Sequence, residues 1–111
     1  MPQYRCYFVQ KNGDTEGWRA FQSENDGEAH DHAIGLFVGY PRADRVELWE
    51  NSRLALTYGR IAAQTPTELR RLCYLAIAAA KKETDPKIKR IISSCAARLA
   101  QEAEALERRE E

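Results

Sequence analysis

From Tyr4 to Gln10 (YRCYFVQ) apolar side chains recur at every second position, and aromatic and β-branched residues predominate. That pattern suits a pleated, half-buried strand. Asn12-Gly13 is a turn signal, and Gly17 to Gln22 (GWRAFQ) reads as the returning strand of a hairpin. Ser23-Glu24-Asn25-Asp26 then offers capping side chains, with Asn25 and Glu28 at capping-box spacing. A helix is expected from about Asp26 to Val38. Its apolar face carries Ala29, Ala33, Leu36 and Phe37, and Gly39-Tyr40-Pro41 ends it. Gly35 is an unfavourable residue inside that helix. Arg45 to Glu50 (RVELWE) alternates again, Asn51-Ser52 is a short turn, and Arg53 to Tyr58 (RLALTY) is a fourth strand.

The period then changes. Thr65-Pro66-Thr67-Glu68 places Thr at the N-cap, Pro at N1 and Glu at N3 of a new helix. Leu69, Leu72, Cys73, Ala76 and Ala80 form its apolar stripe. Asp85-Pro86 breaks it and starts another helix, with Ile88, Ile92, Cys95, Leu99, Ala103 and Leu106 at steps of three and four. The pattern predicts an α+β fold. A β-β-α-β-β sheet unit (residues 1–59), mainly antiparallel in strand order 2-1-3-4, carries one helix on a face. A C-terminal helical hairpin (residues 65–110) follows, within the same single domain.

Composition adds bounds. The 111 residues suffice for one domain, and 43% hydrophobic with 31% charged residues is an ordinary globular balance. No apolar run approaches the roughly 18 residues of a membrane span, and no secretion signal opens the chain, so a cytoplasmic setting away from membranes is expected. Cys6, Cys73 and Cys95 are too few and too widely spaced for a disulfide framework or a CxxC metal motif.

Net charge is zero but uneven. Residues 1–59 hold six basic against nine acidic residues, 60–98 nine against three, and 99–111 two against five. The basic middle includes Arg70, Arg71, Lys81, Lys82, Lys87, Lys89 and Arg90, a candidate nucleic-acid surface or simply a solvated helical face.

Tyr4, Arg5, Tyr7 and Phe8 (Y-R-x-Y-F), the Glu24-Asn25-Asp26 cap, and Val46, Glu47, Leu48, Trp49 and Arg53 (V-E-L-W-x-x-x-R) make a recurring pattern. Over roughly residues 3–58 it resembles a group of short alphaproteobacterial proteins with no assigned activity. The helical tail looks like segments common in the same bacteria, while the longer, Gly-rich helix end departs from the pattern. The resemblance implies the fold and a cytosolic bacterial setting, and no activity.

Candidate chemistry is sparse. His30 and His32, two apart on a helix, point about 200° from each other and cannot share a metal. No nucleophile elbow, Ser-His-Asp or Cys-His arrangement is present. Gly35-x-x-x-Gly39 lacks the lysine and preceding strand of a phosphate loop. No cofactor is implied. An enzyme would need a site assembled in space, for instance around His30, His32 or Tyr58.

Strand alternation is more informative. Tyr4, Cys6, Phe8, Val46, Leu48, Leu54 and Leu56 should share the face under the first helix. Arg5, Tyr7, Val9, Glu47, Trp49, Arg53 and Ala55 should share the other, with Phe21 and Arg19 if the register allows. That second face is too aromatic to leave in water. Three covers are considered: the helical hairpin folded back over it, a second copy or another protein, or single-stranded nucleic acid stacked on its aromatics. The expected function is a small protein-interaction or regulatory module that self-associates. Tyr7, Trp49 and Arg53 would make the sheet contact, and Ile88, Ile91, Ile92 and Leu99 a helical contact. Nucleic-acid binding and an enzyme are the alternatives.

Overall fold

A computed structural model describes residues 1–60 and 65–110. Its elements are β1 (Gln3–Val9), β2 (Thr15–Gln22), α1 (Asp26–Phe37), β3 (Arg45–Glu50), β4 (Arg53–Gly59), α2 (Pro66–Lys82) and α3 (Pro86–Glu110). The four strands form one antiparallel sheet in the order β2-β1-β3-β4, as the alternation predicted. The Asn12-Gly13 turn uses a φ of 94° at Gly13, and the β3–β4 turn a φ of 55° at Asn51, a conformation Asn tolerates. Asn25 and Thr65 cap their helices by accepting from the N–H groups of Glu28 and Glu68, at 2.9 and 3.2 Å.

One apolar cluster joins sheet, α1 and hairpin. Tyr4, Cys6, Phe8, Val46 and Leu48 meet Ala29, Ala33, Leu36 and Phe37 of α1, and the cluster continues through Leu72, Leu75, Ala76 and Ala79 of α2 to Ile92 and Ala96 of α3. Phe8 lies between two rings of the α1 side, stacked on Tyr40 at 3.8 Å and on Phe37 at 6.4 Å.

The hairpin does not fold over the second sheet face, which corrects the first of the three covers. α2 packs on α1, and α3 packs on α2, on the side of the sheet that α1 already covers. The reason lies in Gly35 and Gly39. A β-carbon on Gly35 would lie 2.2 Å from the Leu75 carbonyl oxygen, and one on Gly39 2.7 Å from Ile92 Cγ1. Four residues apart, they open one face of the α1 end to both hairpin helices. The hairpin is also tied to the sheet edge. Arg19, opposite Cys6 on β2, donates to the Glu83 carboxylate just beyond α2.

The register corrects five further face assignments. Phe21 pairs with Tyr4 and Arg19 with Cys6, so both lie on the helix side. In β4 Leu48 pairs with Leu56 but Trp49 with Leu54, so Ala55 is an extra residue that breaks the alternation. Leu54 therefore shares the open face with Trp49, and Ala55 packs against the core cluster. Arg53, opposite Glu50, turns to the helix side. A similar irregularity in β2 leaves Glu16 unpaired between Gly17 and Thr15.

Candidate functional site

The described elements leave the second face of the sheet open. Alternation along β1 and β3 sends Arg5, Tyr7 and Val9, and Arg45, Glu47 and Trp49, to this side. β2 adds Trp18, opposite Tyr7, and β4 adds Leu54, opposite Trp49. Trp18 is 54% exposed and Leu54 47%. Tyr7 and Trp49 are half-buried, while Val9 is buried outside the main cluster. Trp18 escaped the sequence reading because the phase of β2 is set only by its pairing with β1.

The charges on this face hold its aromatics in place. Glu47 accepts from Arg45 Nε at 3.1 Å and from Trp49 Nε1 at 3.3 Å. The Arg5 guanidinium lies 5.7 Å from the Trp18 ring centroid, a cation–π distance. Gln3, Arg5, Tyr7, Trp49, Asn51 and Ser52 line a shallow depression of about 520 Å³. Its lining carries no carboxylate, histidine or cysteine.

The other expected contact residues are placed elsewhere. Arg53 makes a bidentate pair with Asp26, at 2.9 and 3.1 Å, and reaches Glu50 at 2.5 Å. Tyr4 donates its hydroxyl to the same Asp26 at 2.7 Å. The Arg53 and Tyr4 donors hold the Asp26 carboxyl down to about 2, and the bond to Asp26 pushes the Tyr4 hydroxyl up to about 12. This network locks the first turn of α1 to β1 and β4. On the hairpin, Ile92 is buried in the core, Ile88 and Leu99 pack against it, and only Ile91 stays exposed, at 42%. That helical stripe is internal because α3 packs on its own protein.

Arg60, which the sequence reading passed over, pins the loop after α1. It donates to the carbonyls of Ala43, Phe37 and Tyr40 at 2.8, 3.2 and 2.6 Å, and lies 4.2 Å from the Phe37 ring centroid. No local pattern marks such a residue, since its acceptors are backbone atoms 17 to 23 positions away.

Cys6 lies in the core cluster, and Cys73 and Tyr58 pack against it. Burial pushes the Cys6 thiol up to about 12, far from a reactive thiolate at neutral pH. Cys73 donates its thiol to the Ala96 carbonyl at 3.3 Å. Tyr58 meets Phe37 edge-on at 6.1 Å. Among the described residues, no three His, Cys, Asp or Glu side chains converge as a metal site would require.

His32 packs edge-on to Phe21 at 4.5 Å, and burial, aided by the charge of Lys82, pushes its imidazole down to about 4. The folded state therefore favours neutral His32. Stability from this group is complete above pH 6.5 and is lost as pH falls from there toward 4. A urea-unfolding series from pH 7 to 4.5 is expected to show a loss of about 2 kcal/mol, largely absent from His32→Leu. A flat profile would show that the imidazole is hydrated. Asp26 does not confuse this window, because its own contribution is lost only below about pH 4.

Among the described residues no helix is long and apolar enough to cross a membrane. The chain matches no protein-family model, no curated protein and no solved structure.

Proposed function

We propose that the chain is a small cytosolic interaction module, in the bacterial setting its resemblance implies, and that it self-associates by stacking the open sheet face on that of a second copy. The observation that supports this is the uncovered face itself: Trp18, Leu54, Trp49 and Tyr7 project from one surface that no element among the described residues covers. Aromatic residues and arginine are the side chains favoured at interface centres.

The register supports a second copy as the occupant. Arg5 lies beside Trp49 and Tyr7 beside Glu47 on the two central strands. A two-fold axis running along the strands between β1 and β3 sets Arg5 of one copy over Trp49 of the other, and Tyr7 over Glu47. The contacts made are then cation–π and hydroxyl-to-carboxylate, each occurring twice. Such stacking keeps strand directions aligned, as in a β-sandwich. Four strands about 4.8 Å apart and six residues long give a footprint of roughly 20 by 20 Å. With side-chain relief, two copies bury on the order of 1,200 Å², the lower end of specific stable interfaces.

The test is absolute mass by size-exclusion chromatography with light scattering across a concentration series. The expected result is a species of twice the 12.7 kDa chain. Trp18→Ala/Trp49→Ala should weaken the dimer by about 30-fold or more, while its circular dichroism remains native. A wild-type monomer at several hundred micromolar, or a dimer indifferent to both substitutions, would overturn the reading. A peak carrying nucleic-acid absorbance that the double variant loses would reassign the face to base stacking.

A further inference from the structure

A second cavity lies on the helix side of the sheet and shares no residue with the depression on the open face. It is a cleft of about 140 Å³ where the loop after α1 meets α2 and α3. Val38 and Pro41 from that loop, Leu72 of α2 and Leu99 of α3 give it apolar walls, and Arg60 and Arg98 line it with them. Val38 and Leu72 are buried, and Leu99 packs against the core.

The two cations are held differently. Arg60 is fixed. Its Nε and Nη2 groups donate to the carbonyls of Ala43, Phe37 and Tyr40, and the guanidinium lies over the Phe37 ring. Nη1 is the arm left without an acceptor among the described residues. Arg98 is exposed, with no carboxylate at ion-pair distance among the described residues. Glu16 and Asp44 act on the Arg60 charge from beyond ion-pair distance, and neither lines the cleft. A guanidinium already immobilised by three bonds has little freedom left to lose on binding. A carboxylate is the acceptor whose geometry matches its planar fork.

We infer that this cleft binds a small carboxylate bearing a short alkyl chain, with the chain among Val38, Pro41, Leu72 and Leu99 and the carboxylate against Arg60 and Arg98. The volume sets the chain length. At about 30 Å³ for each group, close to the share of one water in the liquid, the cleft holds about five carbons beyond the carboxylate. Inorganic phosphate suits it less, because apolar walls offer no hydrogen bonds in place of the water that ion would shed. None of these contacts uses the open face, so the inference does not rest on self-association.

The experiment is a titration of isotope-labelled protein with hexanoate, followed by backbone amide chemical shifts at pH 7. Saturable shifts are expected around Val38, Leu72 and Leu99, with a dissociation constant of about 1 mM, ordinary for a ligand of so few atoms. Hexanol keeps the chain and lacks the charge, and inorganic phosphate keeps the charge and lacks the chain. Each should bind at least about 10-fold more weakly. Arg98→Gln should weaken hexanoate about 10-fold while melting like wild type, because the side chain is in solvent and has no internal ion pair. Arg98→Lys, which retains the charge, should lose less. Trp18→Ala/Trp49→Ala should bind hexanoate as wild type does, so failure of the self-association reading leaves this inference standing. No saturation by about 20 mM hexanoate, more than ten times the expected constant, would overturn it. So would hexanol or phosphate binding as tightly as hexanoate, or hexanoate binding unchanged in Arg98→Gln.

Discussion

Gly35→Ala is expected to lower the thermal midpoint by about 8 °C. The added carbon has no room: it would lie 2.2 Å from the Leu75 carbonyl oxygen and 2.9 Å from the Ala79 β-carbon. The first obstacle is backbone, so no side-chain rotation relieves it, and α2 must move away from α1. Overpacking of this kind costs roughly 3 kcal/mol. For a chain of 111 residues each kcal/mol shifts the midpoint by about 4 °C. The helix-propensity gain of Ala over Gly, about 1 kcal/mol, offsets only part of the strain. Gly27→Ala is the control. It lies in the exposed first turn of the same helix, where the nearest atom is the Asn25 side-chain oxygen at 3.3 Å, and it should change the midpoint little. Equal melting of wild type and Gly35→Ala would show that the two helices lie farther apart than described.

Arg19→Met is expected to cost about 3 kcal/mol, read as a shift of the urea midpoint. The Glu83 carboxylate keeps the N–H groups of Thr84 and Asp85, each at 3.1 Å, but loses the one cation that pairs with it among the described residues while nearly enclosed. Removing one partner of a buried pair leaves the other charge uncompensated, and this costs far more than the pair contributes when intact. Arg19→Met/Glu83→Met should therefore recover much of the loss. Additive single effects would sink the idea that the two side chains act as a unit. The pair joins the outermost strand to the α2–α3 turn, so its loss should also increase hydrogen exchange at that turn more than in the centre of the sheet.

Periodicity carried most of the fold. Alternation gave the four strands, Asn25 and Thr65 marked two helix starts, and Pro86 the third. These features are local, and neighbours in sequence decide them. What failed depended on pairing across distance. An extra residue at Ala55 exchanges the faces of Leu54 and Arg53, and nothing in RLALTY reveals it. Trp18 became part of the candidate site only through its register against Tyr7. Gly35 read as a weak point of a helix and Gly39 as its end, when they are where two other helices approach it. Of the expected interface residues, Tyr7 and Trp49 do share the open face. Arg53 does not, because Asp26 offers it a bidentate partner on the other side, and a carboxylate at a helix start 27 positions away is invisible to strand alternation.

The extra residues Glu16 and Ala55 both lie on outer strands, one at each margin of the sheet. A regular outer strand is a template on which copies can add without limit, and it is the usual beginning of fibres. Here both margins are interrupted, so lateral growth has no even ladder to extend. If the open faces stack as proposed, the stacking would end by symmetry at two copies, because each copy has one such face and would use it up. The assembly would then have a size finite by construction.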